Sequence, residues 1–148
     1  FSTPVSSDCA PLYAIGRKLA PYKADIRCMR DPTRGGLATV LNEIAVQSNL
    51  GIIVRDKDIP VSPVVRGACD MLGMDPLYMA NEGKMVIFTA PEKSAAVLET
   101  LHSIAECQAA AIIGELRAQP AGLVLITTEL GAERILATLE GEHVPRIC

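Results

Sequence analysis

The chain has no tryptophan and only two phenylalanines among its 148 residues. Its hydrophobic content of 49% must therefore build a core from leucine, isoleucine, valine, alanine and methionine. That length suffices for one domain with a real core. Basic runs are missing as well. The 14 lysines and arginines are scattered and the formal net charge is −3, so nothing points to a nucleic acid or an anionic membrane as partner. No apolar segment approaches the roughly 20 residues that a membrane span requires. No secretory signal is expected, and the opening Phe1 reads as a cut or truncated start. The five cysteines form no C-x-x-C pair, and with only two histidines a zinc cluster is not expected. Reduced thiols in a cytoplasmic protein are the simplest reading. Internal repeats and low-complexity segments are absent too.

What is present centres on Arg30-Asp31-Pro32-Thr33-Arg34-Gly35-Gly36-Leu37. Its two glycines allow a tight turn and close backbone approach by a ligand. Leu37, Val40, Leu41, Ile44, Ala45 and Ser48 then recur at helical spacing and predict one buried stripe. Thr33 is placed to cap that helix, leaving the amides of Arg34, Gly35 and Gly36 at the positive end of its dipole. Such a terminus binds anions, phosphate above all, and Arg34 adds a guanidinium that can fork onto phosphate oxygens. Asp31 is suited to accept from a ligand or to help hold a divalent cation. The competing reading is a plain loop-to-helix junction with glycine for packing. The spacing matches neither the P-loop nor the dinucleotide fingerprint.

The rest of the chain reads as alternating elements. Asp8 can cap a helix running to about Tyr22, with Leu12, Ile15, Gly16 and Leu19 inward. Ile26 to Met29 reads as a short strand into the Asp31 loop. The central helix ends near Asn49, with Gly51 terminating it, and Ile52-Ile53-Val54 is a buried strand. Ser62-Pro63 starts another helix, with Val65, Ala68, Cys69 and Leu72 inward. Cys28, Cys69 and Cys107 read as small core residues. Asn81-Glu82-Gly83 precedes a strand over Lys84 to Ala90, and Glu82 is either a solvated turn carboxylate or a functional one. Pro91 opens a helix to about Cys107, with Val97, Leu98, Leu101, Ile104 and Ala105 inward and His102 exposed. Three strands follow, Ala111 to Leu116, Leu123 to Thr128 and Arg134 to Leu139, joined by hairpin connections. The class is α+β, a mixed β-sheet with packed helices.

The final residues, Gly141 to Cys148, predict an extended tail, since Gly141 ends the last strand and Pro145 discourages pairing. Seven steps from Gly141 reach roughly 23 Å. An exposed cysteine on a frayed terminus is a liability without a purpose. A thiol on a tether is suited to act as a carrier group.

Asp31-Pro32-Thr33-Arg34-Gly35-Gly36-Leu37, Asn81-Glu82-Gly83 and the terminal Pro145-Arg146-Ile147-Cys148 together resemble the HypE family of hydrogenase maturation factors. The first motif is shared, in looser form, with the wider PurM-like superfamily of aminoimidazole ribonucleotide synthetase. The terminal motif is more specific to HypE. The resemblance covers the whole chain but only the C-terminal half of that family's protein. It implies a PurM-like C-terminal domain over 1–140, a flexible tail over 141–148, and an N-terminal ATP-binding domain absent from this chain. It also implies an ATP-dependent carbamoyl dehydratase of nickel–iron hydrogenase assembly. A carbamoyltransferase, HypF, would load Cys148 with a carboxamide. ATP, with Mg2+ held mainly by the absent domain, would drive its dehydration to an S-cyanated cysteine. The cyanide would pass to iron on a HypC–HypD scaffold. Asp31, Thr33, Arg34, Gly35, Gly36 and Asn81 match the family's cofactor-binding positions, and Glu82 matches its carboxylate near the thiocarboxamide. A homodimer of the full-length protein in the cytoplasm is implied as well. The alternatives are another ATP-dependent PurM-like synthetase or kinase domain, or a non-catalytic interaction domain.

Overall fold

Ile52, Ile53 and Val54 are three consecutive β-branched residues, and all three are buried. A run apolar on both faces suits an interior strand rather than an edge. The computed structural model, which describes residues 7, 9–128 and 130–138, places them so. Strand β2 (Gly51–Arg55) lies between β4 (Gly114–Arg117), antiparallel to it, and β5 (Val124–Thr127), parallel to it. Strand β6 (Glu133–Ile135) completes this mixed sheet in the order β4-β2-β5-β6. A second ladder pairs β1 (Ile26–Arg30) antiparallel with β3 (Val86–Thr89).

Four helices accompany these strands among the described residues: α1 (Tyr13–Leu19), α2 (Gly36–Ser48), α3 (Pro63–Leu72) and α4 (Ser94–His102). The predicted stripe of α2 is the one that packs, with Val40, Leu41 and Ala45 buried and Leu37 and Ile44 half-buried. Ala38 joins it, whereas Ser48 is exposed. The main core joins Leu41 of α2 to Val54, Val124 and Ile126 of the sheet, with Phe88 and Leu136. Full burial of such aliphatic side chains contributes about 1.5–3 kcal/mol each. A smaller cluster packs Ile15 and Leu19 of α1 against Val97 of α4 and Ile104. The class is α+β, as the alternation of elements implied.

Several expectations are corrected. The first helix stops at Leu19 and continues as a 3-10 turn over Ala20–Tyr22, with Gly16 exposed; Asp8, its expected cap, lies outside the described residues. The central helix ends at Asn49 as expected, but Asn49 itself, in the left-handed conformation, closes it in place of Gly51. In α3 the Ser62 cap is real, its hydroxyl accepting from the Val65 N–H at 3.3 Å. Only Cys69 of that helix is buried, however, and Val65, Ala68 and Leu72 face solvent. Periodicity identifies residues that share a face but not whether anything covers it. The helix after Pro91 breaks at His102, where the Gln108 side chain donates to the His102 carbonyl, and Ala105 is exposed. The β4–β5 connection is not a hairpin, because both strands pair with β2 on opposite sides. The β5–β6 connection is one. The tail expected over 141–148, including Cys148, lies outside the described residues.

Candidate functional site

The loop from Asp31 to Gly35 joins β1 to α2. Asp31 and Arg34 are exposed, Pro32 is buried and Thr33 is half-buried. The helix cap is Gly35, in the left-handed region at φ +69°, without a side-chain cap. Thr33 is therefore not the N-cap. The first turn, with its open amides, comprises Gly36, Leu37 and Ala38 instead of beginning at Arg34. Gly36 is also left-handed, at φ +65°, and a Cβ there would lie 2.5 Å from the carbonyl oxygens of both Leu77 and Met79. Its missing side chain thus admits the protein's own backbone, where a ligand was expected.

That backbone belongs to a 3-10 turn over Pro76–Tyr78, capped by Asp75, whose Oδ1 accepts from the Leu77 N–H at 2.9 Å. The chain leaving this turn runs directly to the second motif. The N–H of Asn81 donates to the Pro32 carbonyl at 3.0 Å, and its side-chain amide donates to the Met79 carbonyl at 2.7 Å. The fold therefore brings Asn81-Glu82-Gly83 against the Asp31–Gly36 loop from far away in sequence. Glu82 is exposed in the turn before β3, next to the residue that makes this link.

Three further residues, given no role by the sequence, support the pair of loops. Arg30, the last residue of β1, pairs with Glu43 of α2 at 2.8 Å and so links the strand before the first loop to the helix after it. Asn42 and Tyr78 donate to the chain after β6, Asn42 to the Leu136 carbonyl and Tyr78 to the Ala137 carbonyl, each at 2.8 Å. These contacts join residues distant in sequence, and no local pattern announces them. The Tyr78 phenol is pushed above its ordinary value, chiefly by burial and then by the Asp75 carboxylate, while Arg134 pulls it down. A cavity of about 390 Å³ lies elsewhere, between Cys28, Ile44, Phe88 and Leu116. Among the described residues no three His, Cys, Asp or Glu side chains gather where they could hold a metal ion.

Residues 10–127 match the family model "AIR synthase related protein, C-terminal domain". The chain belongs to the AIR synthase related family. Within that family it is similar to carbamoyl dehydratase HypE of Bradyrhizobium diazoefficiens, at 48% identity over 100% of this chain and 43% of the relative. It is likewise similar to a crystal structure of hydrogenase maturation protein HypE, with a TM-score of 0.91 and 45% identity, covering 100% of this chain and 48% of that one. A HypE crystal structure in complex with ATP gives a TM-score of 0.90 at 44% identity, over 100% of this chain and 45% of that one. A HypE–HypF complex gives 0.88 at 40% identity, over 94% and 45%. The chain spans less than half the length of these relatives. No helix among the described residues is long and apolar enough to cross a membrane.

Proposed function

We propose that this chain is the C-terminal domain of a nickel–iron hydrogenase maturation protein, in which Cys148 carries a carboxamide that is dehydrated with ATP to an S-cyanated cysteine. The observation that carries this reading is the Asn81–Pro32 hydrogen bond at 3.0 Å, which puts Glu82 beside the Asp31–Gly36 loop. Similarity to HypE along the whole chain, including the form solved with ATP, supports it.

In this reading Arg34 and the first-turn amides of α2 face phosphate, and Asp31 and Thr33 complete the loop. Gly35 gives the loop its turn, while Gly36 and Asn81 hold the second segment against it. ATP phosphorylates the carboxamide oxygen, with release of ADP and of one of the two N–H protons, and this makes the oxygen a leaving group. Glu82 takes the N–H proton as phosphate departs with that oxygen and the carbon–nitrogen triple bond forms. A base within hydrogen-bond reach of that proton lowers the barrier to its removal. Donors fixed on a folded frame meet the developing charge without reorganising. Mg2+ belongs to the other half of the full-length protein, which also supplies the homodimer contact. HypF loads the thiol, a HypC–HypD scaffold receives the cyanide on iron, and the cycle runs in the cytoplasm.

The test is intact-mass analysis of the full-length protein after incubation with HypF, carbamoyl phosphate and ATP. One modification, mapped to Cys148 and lost in Cys148→Ala, is the expected result. Modification elsewhere, or none, contradicts the reading.

A further inference from the structure

We propose that β4 is a docking edge for a second copy of this chain, which pairs with it antiparallel about a two-fold axis and joins the two mixed sheets into one. The ladder defines the edge. Among the described residues β4 has β2 as its only neighbour, in the order β4-β2-β5-β6. The Arg55 N–H donates to the Ile113 carbonyl at 2.8 Å, and the Ile52 N–H to the Leu123 carbonyl at 2.9 Å. Main-chain groups alternate sides along a strand, so the odd residues of β2 turn to β4 and the even ones to β5. In the observed register Gly51 lies opposite Arg117 and Ile53 opposite Glu115. Glu115 and Arg117 therefore direct their main-chain groups to β2, and the N–H and carbonyl groups of Gly114 and Leu116 face outward. Open groups of this kind are a template for another strand.

The side chains select both the occupant and the register. Glu115, Leu116 and Arg117 read acidic, apolar, basic; all three are exposed, and the Arg117 Nε donates to Glu115 at 2.7 Å. A second copy running antiparallel, with Leu116 opposite its own counterpart, sets each Glu115 against the other copy's Arg117. The outward groups of the two Leu116 residues then form one hydrogen-bonded pair. The charged residues fall in the non-hydrogen-bonded pairs, where side chains stand closer. Sliding the register by two residues sets Glu115 against Glu115 or Arg117 against Arg117, which like-charge repulsion disfavours. Sliding it by one turns outward groups toward residues whose own groups already bond β2. One register remains, and two-fold symmetry closes it. At its centre Leu116 borders the cavity of about 390 Å³ with Ile44 and Phe88, so the second Leu116 meets apolar space. A foreign strand has no reason to match this order of charges. The pairing is independent of the chemistry proposed for Cys148.

The test uses the full-length protein, the Glu115→Arg variant and the exchange that combines Glu115→Arg with Arg117→Glu. Sedimentation equilibrium over a concentration series should show the parent protein reaching at least twice the mass of Glu115→Arg at the same concentration. The homodimer contact assigned to the other half of the protein is common to both and cancels. Glu115→Arg turns two attractions into two repulsions, so it should need about tenfold more protein to associate equally. The exchange restores opposite charges across the axis and should recover the association, which a mere structural defect would not allow. Hydrogen-bonded partners on antiparallel strands have Cα atoms about 5.5 Å apart, within reach of a disulfide. Mild oxidation of Leu116→Cys should therefore link two copies through the substituted positions, as located by peptide mass mapping. Adding Glu115→Arg should suppress that link. Absence of self-association, which would leave the edge to a foreign strand or to solvent, overturns the proposal. So does association that charge reversal leaves untouched or that the exchange fails to recover, and so does a link that survives the reversal.

Discussion

The main-chain N–H of Asn81 donates to the Pro32 carbonyl at 3.0 Å, tying together two segments about 50 residues apart in sequence. Glu82 follows Asn81 directly and is exposed, so it is held in place by backbone rather than by its own contacts. Glu82→Gln in the full-length protein should leave the fold and the loading of Cys148 intact. It should slow dehydration by about 10²- to 10⁴-fold, the usual contribution of a catalytic base. Wild-type dehydration rates in the loaded variant would reduce Glu82 to a surface turn residue.

Gly36→Ala should be among the most damaging single changes in the domain. Its Cβ meets two main-chain carbonyls at 2.5 Å, and its φ of +65° is strained for any L side chain. A loss of about 2–4 kcal/mol is expected. Gly35→Ala meets the Thr39 side chain instead of backbone, so its loss should be smaller. Denaturant unfolding of the two variants checks the order, and equal stability of both would contradict it.

Alkaline pH should weaken the fold through two groups. Burial first, and then Asp75, push the Tyr78 phenol up; burial first, and then Glu106, push the Cys107 thiol up. Each therefore keeps its proton longer in the folded chain than in the unfolded one. Their stabilisation is fully present below the ordinary thiol and phenol values and is lost as pH rises through the folded ones. The thermal midpoint should be flat up to about pH 8.5 and fall beyond it, less steeply in Tyr78→Phe. A midpoint that rises there would be inconsistent with this.

The 148-residue chain alone should not dehydrate a thiocarboxamide with ATP. No three His, Cys, Asp or Glu side chains gather among its described residues to hold the metal that phosphoryl transfer ordinarily uses. Measurable turnover by the isolated chain would place the whole ATP site here.

Where structure is local, the sequence was legible. Ser62 with Pro63 specified a capped helix start, because the hydroxyl and the amide it accepts from are three residues apart. The stripe Val40, Leu41 and Ala45 identified the packed face of α2. Non-local facts were not legible. Val65 and Leu72 have the spacing of a core face, yet both are exposed. β4 and β5 are joined by a turn-like stretch, yet each prefers β2. Thr33 has the chemistry of a cap, but the left-handed Gly35 begins the helix two residues later. In the candidate site, both motifs were visible as residues. Their union was not, since it rests on main-chain bonds of Asn81 and on the room at Gly36.

The measurement closest to the central claim is peptide mass analysis of Cys148 in the full-length protein, first loaded with a carboxamide and then given ATP. The account predicts that ATP removes the mass of one water from the loaded Cys148 peptide, and that withholding ATP leaves the carboxamide in place. A carboxamide that persists with ATP, or one that loses water equally well without it, would contradict the account.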